Sequence, residues 1–373
     1  MGPNKDTMIS RALLLTGLLA MTANAQVSKT PFGTTPAGKA VDMYTIKDAA
    51  VTVKVITYGA RLQSVIAPDK NGKEADVVLG HPDLAGYLGD RDTYFGAVVG
   101  RYGNRIAKGQ FVINGQTSHI PINNNGQTLH GGTDGFDNRV WSAKEIPMGV
   151  EMTLVSPDGD QGFPGELTAH VRYTLHGHDL RIEYSATTTK PTVLNLTNHA
   201  YFNLAGEGNG NVLNTEVMIN ADRYTPVSDV LIPTGDLPPV AGTPFDFRTP
   251  HAIGERINQK NDQLKIAGGY DHNWVLNGAN GVMKLAAKAV DPASGRTLTV
   301  STTEPGVQFY TGNFLKEGLI TGTGGQKYSY RGGFCFETQH FPDSPNHPKF
   351  PTTELDPGHT MRSTTVFSFG VQK

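Results

Sequence analysis

Six short segments of the chain combine glycine with amide, imidazole, carboxylate and aromatic side chains. They cover residues 100–106 (GRYGNRI), 129–132 (LHGG), 195–204 (NLTNHAYFNL), 269–274 (GYDHNW), 308–313 (QFYTGN) and 336–339 (FETQ). Sugars present hydroxyl groups that bind polar side chains, and C–H faces that stack on aromatic rings. This palette of side chains therefore favours a carbohydrate site.

The glutamate of the last segment is the most conspicuous candidate for chemistry. Glu337 directly follows the apolar tripeptide FCF, and a carboxylate in a buried strand needs either partners or a chemical role. The other candidates also have ordinary interpretations. His199 suits a hydrogen-bonded core histidine, and His130 suits a turn. Asp271 suits a turn cap, and Arg105 suits a structural ion pair, so composition alone leaves their roles open.

Metal, phosphate and nucleophile chemistry find weaker support. The chain has twelve histidines but no HExxH motif, and His340 and His347 flank Asp343 in a ligand set of low specificity. Residues 100–103 lack the Lys-Ser/Thr ending of a phosphate-binding loop, and there is no GxSxG elbow. We expect no metal and no cofactor in the site.

Strand patterns dominate the elements that must position these residues. Apolar and polar residues alternate in several β-branched segments, and clusters of glycine, asparagine and proline separate them. No long amphipathic helix stands out. The pattern predicts an all-β sandwich or barrel. The predicted strands lie at 51–58, 180–185, 287–290, 297–301 and 365–371, and short helical turns at 82–87 and 251–254.

Composition sets further limits on function and organisation. The 373 residues include 32 basic and 34 acidic side chains, a net charge of −2, which excludes a basic, electrostatically driven nucleic-acid binder. The single cysteine, Cys335, rules out an internal disulfide and a cysteine-rich zinc site. Its apolar neighbours favour a packed thiol over a nucleophile. Strand patterning without a linker predicts one domain over residues 26–373.

The first 25 residues have the features of a secretory signal peptide. Lys5 and Arg11 precede an uncharged apolar run at 12–21, and Ala23-Asn24-Ala25 forms a small-x-small cleavage site. The run is too short to span a bilayer. We therefore expect export, to a bacterial periplasm or to the medium, with the mature chain starting at Gln26 and no membrane association after cleavage.

Taken together, these segments resemble the aldose 1-epimerase family, also called galactose mutarotase. The resemblance runs from about residue 33 to the C-terminus. It implies a large antiparallel β-sandwich of the galactose mutarotase-like type, and a cofactor-free interconversion of the α and β anomers of free hexoses such as galactose and glucose. The matching segments are 100–111, 129–132, 158–167, 195–206, 268–274, 305–315 and 332–346.

The resemblance also implies roles for individual residues. Glu337 corresponds to the general base and His199 to the general acid. The positions that match substrate-binding or supporting residues are Asn104, Arg105, His130, Asp271 and Gln308.

Mutarotation itself requires little machinery. A base removes the proton of the C1 hydroxyl and an acid protonates the ring oxygen, the ring opens, and closure after rotation gives the other anomer. If Glu337 is ionised while His199 is protonated, the pH–rate profile should be bell-shaped. Its basic limb should be set by His199, with a pKa near or above about 6.5.

Two other function classes use the same residue types. A non-catalytic sugar-binding module would bind without turnover, and a glycoside hydrolase or lyase would use Glu337 with Asp271 as a carboxylate pair. The motif set favours the epimerase, acting on a free monosaccharide as a monomer or weak dimer.

Overall fold

The structure is a computed structural model that describes residues 1–2 and 25–372. Strands make up 44% of the chain and helices 8%, which confirms the predicted all-β class. The predicted signal peptide falls almost entirely on residues 3–24, which lie outside the described residues. Among the described residues, no helix has both the length and the apolar character needed to cross a membrane.

Twenty-seven strands and three short α-helices make up the described fold. The strands are β1 Gln26–Thr34, β2 Ala40–Asp48, β3 Val51–Ile56, β4 Arg61–Pro68, β5 Glu74–Asp76, β6 Val98–Val99, β7 Arg105–Ile106, β8 Gln110–Ile113, β9 Gln116–His119, β10 Thr128–Leu129, β11 Ser142–Ile146, β12 Gly149–Ser156, β13 Leu167–His176, β14 Asp179–Thr188, β15 Thr192–Val193, β16 Thr197–Asn198, β17 Tyr201–Phe202, β18 Glu216–Ile219, β19 Ala221–Thr225, β20 His251–Ala252, β21 Asp271–Leu276, β22 Lys284–Val290, β23 Arg296–Thr302, β24 Gly306–Tyr310, β25 Phe334–Gln339, β26 Glu354–Leu355 and β27 Met361–Val371. The α-helices are α1 Leu84–Gly89, α2 Ile253–Arg256 and α3 Asp262–Ala267, and 3₁₀ turns span Ala107–Gly109, Phe136–Asn138, Asp160–Gly162 and Ser344–Asn346.

Three sheets carry most of these strands. A nine-stranded sheet has the order β11-β12-β13-β14-β27-β23-β22-β18-β20. One five-stranded sheet runs from β1 to β5 in chain order, and a second has the order β17-β25-β24-β21-β19. Every pairing between the named strands is antiparallel, as expected for a sandwich.

Alternation along the strands explains which face each presents to the core. In β27, Ser363, Thr365, Phe367 and Phe369 are buried while the residues between them are half-buried. Successive strand side chains point to opposite faces of a sheet. The face with the two phenylalanines packs inward, and Phe367 meets Phe202 of the second five-stranded sheet at a ring-centroid distance of 5.2 Å. The two sheets thus share one apolar core.

The predicted local elements are confirmed. The segment 287–301 forms β22, a turn and β23, and 180–185 lies within β14. The 82–87 segment contains the start of α1, whose cap Asp83 accepts the backbone N–H of Gly86 at 2.9 Å. At 251–254, a two-residue strand precedes the short α2 helix, so only part of that predicted turn is helical.

Candidate active site

Strands β21, β24 and β25 separate their side chains onto two chemically different faces. On β25, Phe334 and Phe336 point into the core, whereas Cys335, Glu337 and Gln339 point the other way. The sequence FCFETQ produces this division because strand side chains alternate with a period of two. All six residues are buried, since the core covers one face and loops cover the other.

The register of the three strands aligns the polar residues in rows. Gln308 of β24 pairs with Glu337 of β25 and with Asn273 of β21. In the next row, Tyr310 of β24 pairs with Cys335 and with Asp271. Directly paired residues lie within side-chain reach of one another. The register therefore brings together residues that are 66 positions apart in sequence, between Asp271 and Glu337.

His199 lies between β16 and β17, where its backbone is fixed on both sides. Its N–H donates to Ala97 O at 2.8 Å, and its carbonyl accepts from Gly96 N at 3.0 Å. The ring stacks on Tyr201 at 5.1 Å and on Tyr94 at 5.8 Å, with interplanar angles of 27° and 28°. Its Nε2 is 3.7 Å from Oε1 of Glu337. The predicted acid and base are therefore neighbours.

His130 follows β10 in a left-handed conformation with φ of 51°. The next residue must be glycine, because a Cβ on Gly131 would lie 2.0 Å from the carbonyl oxygen of Gly100. His130 Nδ1 accepts the backbone N–H of Asn104 at 3.1 Å. The neutral ring therefore carries its proton on Nε2. Since its ring edge meets His199 at 5.1 Å, it offers a donor beside the predicted acid.

Asn104 and Arg105 enter the site at the start of β7. Asn104 has φ of 63°, and its Oδ1 accepts the backbone N–H of Arg105 at 2.9 Å. The Arg105 side chain is buried, its Nη2 donates to Asn124 Oδ1 at 3.4 Å, and its Nε has no partner among the residues that the structure describes. A buried guanidinium with a free donor is a candidate for binding a sugar oxygen.

Asp271 opens β21 and faces the site, which rules out the turn-cap interpretation. Its Oδ1 accepts Nε2 of Gln308 at 2.7 Å. Gln308 Oε1 in turn lies 3.5 Å from Gln339 Nε2. Gln308 therefore supports Asp271 from behind rather than lining the cavity itself.

A cavity of about 420 Å³ joins these residues and opens at one side of the sheet. Six of the seven predicted site residues line it: Asn104, Arg105, His130, His199, Asp271 and Glu337. Glu337 Oε2 is buried and has no hydrogen-bond partner within the described part of the chain, which is costly unless a ligand supplies a donor. A sugar hydroxyl is a donor of the required kind.

Burial moves both members of the predicted acid–base pair toward their neutral forms. It lowers the pKa of His199 to about 4, and the charge of Arg61 adds to this effect. Burial and the like charge of Asp271 raise the pKa of Glu337 well above its usual value, although Arg105 opposes them. The expected His199 pKa near or above 6.5 is therefore wrong for the free site, because the ring is fully enclosed.

Three buried ligand atoms could in principle hold a metal ion. Those of His130, His199 and Glu337 lie within 4.8 Å of one another. The tautomer of His130 argues against this use, since Nε2 carries the proton while Nδ1 accepts a backbone N–H. A metal ligand needs a free lone pair on the ring nitrogen. This donor set therefore suits hydroxyl groups better than a cation.

The alternative ligand set near the C-terminus is divided between two separate contacts. His340 Nδ1 pairs with Glu304 Oε2 at 2.6 Å, whereas His347 Nε2 pairs with Asp343 Oδ2 at 3.3 Å. Asp343 also accepts the backbone N–H of Ala107 at 2.9 Å. These contacts tie the segment 340–347 to its surroundings, so we assign it a structural role.

Comparison with known proteins decides the family. The family model described as aldose 1-epimerase matches residues 42–368. The chain is 45% identical to galactose mutarotase of Rattus norvegicus over 346 residues, which cover 92% of this chain and 99% of the relative. It is 38% identical to aldose 1-epimerase of Escherichia coli K12 over 339 residues, covering 90% and 96%. The chain belongs to the aldose 1-epimerase family.

Solved structures agree with this assignment. Galactose 1-epimerase from Lactobacillus acidophilus NCFM superposes with a TM-score of 0.80 at 29% identity, covering 94% of this chain and all of that one. An aldose epimerase homologue from C. elegans gives 0.78 at 29% identity, covering 87% and 97%. The predicted galactose mutarotase-like sandwich is thus confirmed for this aldose 1-epimerase family member.

Several residues of the epimerase site escaped sequence analysis. Tyr94 meets His130 at a ring distance of 4.6 Å, yet it sits in a loop with φ of 56° and no flanking motif. Tyr201 and Tyr310 lie inside quoted segments, and their aromatic type was the available signal. Asn124 belongs to an NNNG cluster that indicates only a turn. The structure shows that this turn also lines the cavity.

A larger cavity, of about 720 Å³, lies elsewhere and lacks these features. Arg296 on its wall donates to three backbone carbonyls, those of Ala67, Leu204 and Lys73. Glu207 accepts from Thr323 and Tyr328. Because these charged groups are satisfied internally, we place the chemistry in the smaller cavity.

Proposed function

We propose that this protein is a mutarotase that interconverts the α and β anomers of free hexoses, with D-galactose and D-glucose as candidate substrates. The observation that carries the proposal is the pairing of His199 Nε2 with Glu337 Oε1 at 3.7 Å inside a cavity lined by hydrogen-bonding groups. The named relatives, galactose mutarotases and aldose 1-epimerases, support the same activity.

The spacing of the pair fits the two oxygens that must exchange protons. In a cyclic aldose, the anomeric hydroxyl and the ring oxygen are bonded to the same carbon, so their two protein partners must also be neighbours. Glu337 takes the hydroxyl proton while His199 gives one to the ring oxygen. The C1–ring-oxygen bond breaks, and the C1 carbonyl forms. After rotation about C1–C2, the reverse proton transfers close the ring and give the other anomer.

In the working state, Glu337 is ionised and His199 is protonated. The two groups share one titratable proton, and in this charged arrangement the proton is on His199. The free site favours the neutral arrangement, in which Glu337 carries that proton. The pair therefore titrates as a unit, and the rate falls when it gains a second proton or loses the first. Arg105 lowers the pKa of Glu337 and so favours the charged arrangement.

The remaining site residues have roles in holding the sugar. His130 offers Nε2–H as a donor, and Arg105 offers its Nε–H, which no described residue accepts. Asp271, oriented by Gln308, offers an acceptor to a hydroxyl group. Tyr310 supplies an aromatic wall beside the cavity, suited to the apolar face of a hexose. Donors, acceptors and an aromatic face thus converge on one small cavity.

Polarimetry tests the proposal directly. Purified residues 26–373 are added to freshly dissolved α-D-galactose or α-D-glucose, in a buffer that is itself a poor catalyst. We expect the approach to equilibrium to accelerate in proportion to enzyme, with an unchanged final rotation. A folded sample that binds either sugar without acceleration would instead support a non-catalytic binding module. Hydrolysis of a glycoside would support the carboxylate-pair alternative.

We also propose that the protein is exported after cleavage behind Ala25. The leader-like residues 1–25 support this. Cleavage there would remove no strand residue, since β1 begins at Gln26, which pairs with Lys47. Fractionation of expressing bacteria, with mass spectrometry of the N-terminus, tests it. A chain that stays in the cytoplasm with residues 1–25 attached would contradict it. The predicted monomer or weak dimer is tested by light scattering of the same sample.

A further inference from the structure

One strand contacts both ring nitrogens of His199. Cys335 and Glu337 are two positions apart on β25, so their side chains emerge on the same face. Cys335 Sγ lies 3.6 Å from His199 Nδ1, and Glu337 Oε1 lies 3.7 Å from Nε2. Cys335 is fully buried and makes no other side-chain hydrogen bond among the described residues. The chemistry described so far uses Glu337 and leaves the thiol without a role.

The proton cycle of His199 places a demand on Nδ1. The imidazolium gives its Nε2 proton to the ring oxygen of the sugar and later takes a proton back at the same nitrogen. Between these steps the ring is neutral, and its one remaining proton must be on Nδ1 so that Nε2 keeps a lone pair. A neutral ring with its proton on Nε2 could not accept the returning proton. Something must therefore favour the Nδ1–H tautomer.

We propose that Cys335 is a positioning residue that accepts the Nδ1–H of His199 and thereby keeps Nε2 free toward Glu337 and the sugar. This rests on the proposed mutarotase function. Stacking of the His199 ring on Tyr94 and on Tyr201 restricts its rotation to offer the other edge. The backbone of His199 itself also favours the protonated ring, although burial outweighs it.

A thiol suits this position better than a carboxylate does. Burial raises the pKa of the Cys335 thiol well above its usual value, so it stays neutral. A neutral sulfur is a weak acceptor, which orients the ring without making the imidazole more basic. A carboxylate would stabilise the imidazolium and so weaken it as an acid. The thiol therefore fixes the tautomer while leaving the proton on Nε2 easy to release.

His130 provides an internal reference with the opposite tautomer. Its Nδ1 accepts the backbone N–H of Asn104 at 3.1 Å, so its proton is on Nε2. The two rings are close, with centroids 5.1 Å apart, and both are neutral near pH 7 because burial lowers each pKa. One spectrum can therefore compare a ring held by a backbone donor with a ring held by an acceptor.

The decisive experiment is ¹⁵N NMR of histidine-labelled residues 26–373 at neutral pH. Variants His130→Gln and His199→Gln assign the two rings. We expect protonated Nδ1 in His199 and protonated Nε2 in His130. In Cys335→Ala we expect His199 to become a mixture of both tautomers, and in Cys335→Ser to remain mainly Nδ1–H. A wild-type His199 with its proton on Nε2, or a distribution unchanged in Cys335→Ala, would overturn the proposal.

Kinetics provide the second readout. We expect Cys335→Ala to lower kcat about fivefold, the size of one weak hydrogen bond, with KM unchanged. Cys335→Ser should recover most of the loss. Val307→Ala, which removes core volume from the opposite face of β24, should lower Tm without changing kcat per folded molecule. Full kcat in Cys335→Ala would leave Cys335 as a packing residue. The NMR comparison needs no turnover, so it remains informative even if polarimetry shows no mutarotase activity.

Discussion

The two faces of strands β21, β24 and β25 meet very different surroundings. One face carries Trp274, Phe309 and Phe336, whose rings pack within 5.3 to 5.8 Å of one another through Phe309. The other face carries Asp271 and Glu337, which line the cavity. The backbone is shared, so only the parity of a residue along its strand decides which environment it meets.

This difference shows how a fold can build chemistry on a rigid base. Ring packing on the core face fixes the strands, and the strands then hold the polar side chains at defined positions. A loop would hold Glu337 less firmly. Stability and activity should therefore separate by face, with substitutions on one face lowering the free energy of unfolding and those on the other lowering the rate.

The largest expected effect lies on the site face. Glu337→Gln keeps the shape of the side chain but removes the base, so we expect kcat to fall by about 100- to 10,000-fold while Tm stays near or above wild type. His199→Asn should lower kcat on the same scale. Phe336→Leu, the adjacent residue on the core face, is the matched control. Polarimetry gives kcat and thermal unfolding gives Tm for all three variants. A Glu337→Gln variant that kept most of its kcat would contradict the division of roles between the two faces.

The next effect lies on the core face. Phe309 is fully buried, and its ring packs against those of Phe247, Tyr270, Trp274 and Phe336.

 The four ring-centroid distances are, in that order, 5.6, 5.6, 5.8 and 5.3 Å. Phe309→Ala leaves a cavity among these rings, and we expect it to lower the free energy of unfolding by about 3–5 kcal/mol. Urea unfolding gives this value, and polarimetry of the folded fraction should show kcat close to wild type. A loss below about 1 kcal/mol would mean that the core face does not support the strands as described.

Much of this division could be predicted from sequence. The alternation in FCFETQ indicates a strand with one aromatic face, and it marks Glu337 as a carboxylate in a buried position. The strand pair at 287–301 follows from short-range patterns in the same way. The family resemblance pairs Glu337 with His199. The two residues are 138 positions apart, so no local pattern predicts that they are neighbours.

The remainder depends on topology and burial. Tyr94 contacts His130 and His199 from a loop. Its φ of 56° is a conformation that no nearby residue in the sequence indicates. The low pKa of His199 arises from its enclosure, which is a property of the assembled site. The apolar sequence neighbours of Cys335 indicate a core residue. Only the position of His199 in the folded chain gives its sulfur a polar neighbour. Sequence patterns contain none of these distances.

A smaller effect should separate binding from proton transfer within the site face. Asp271 accepts Gln308 Nε2 and faces the cavity, so its role is to hold a hydroxyl. Asp271→Ala removes this acceptor, and we expect KM to rise about tenfold with a smaller change in kcat, as for one hydrogen bond to a charged group. Initial rates across a range of galactose concentrations give both constants. Unchanged KM and kcat would place Asp271 outside the binding machinery.

The smallest expected effect on turnover concerns a histidine on the core face. His272 neighbours Asp271 on β21 but points the other way, where its Nε2 lies 3.2 Å from Gln263 Oε1 and burial lowers its pKa to about 3. In the unfolded chain its pKa is about 6.5. Between these values the unfolded state binds the proton and the folded state does not, so acidification destabilises the fold by up to about 1.4 kcal/mol per pH unit through this residue.

His272→Gln should therefore lose less stability than wild type between pH 6.5 and pH 4, while both have similar kcat at pH 7. Urea unfolding at several pH values measures the two slopes. Equal slopes would show that His272 does not couple the core face to pH, and a large loss of kcat would show that the two faces are not independent.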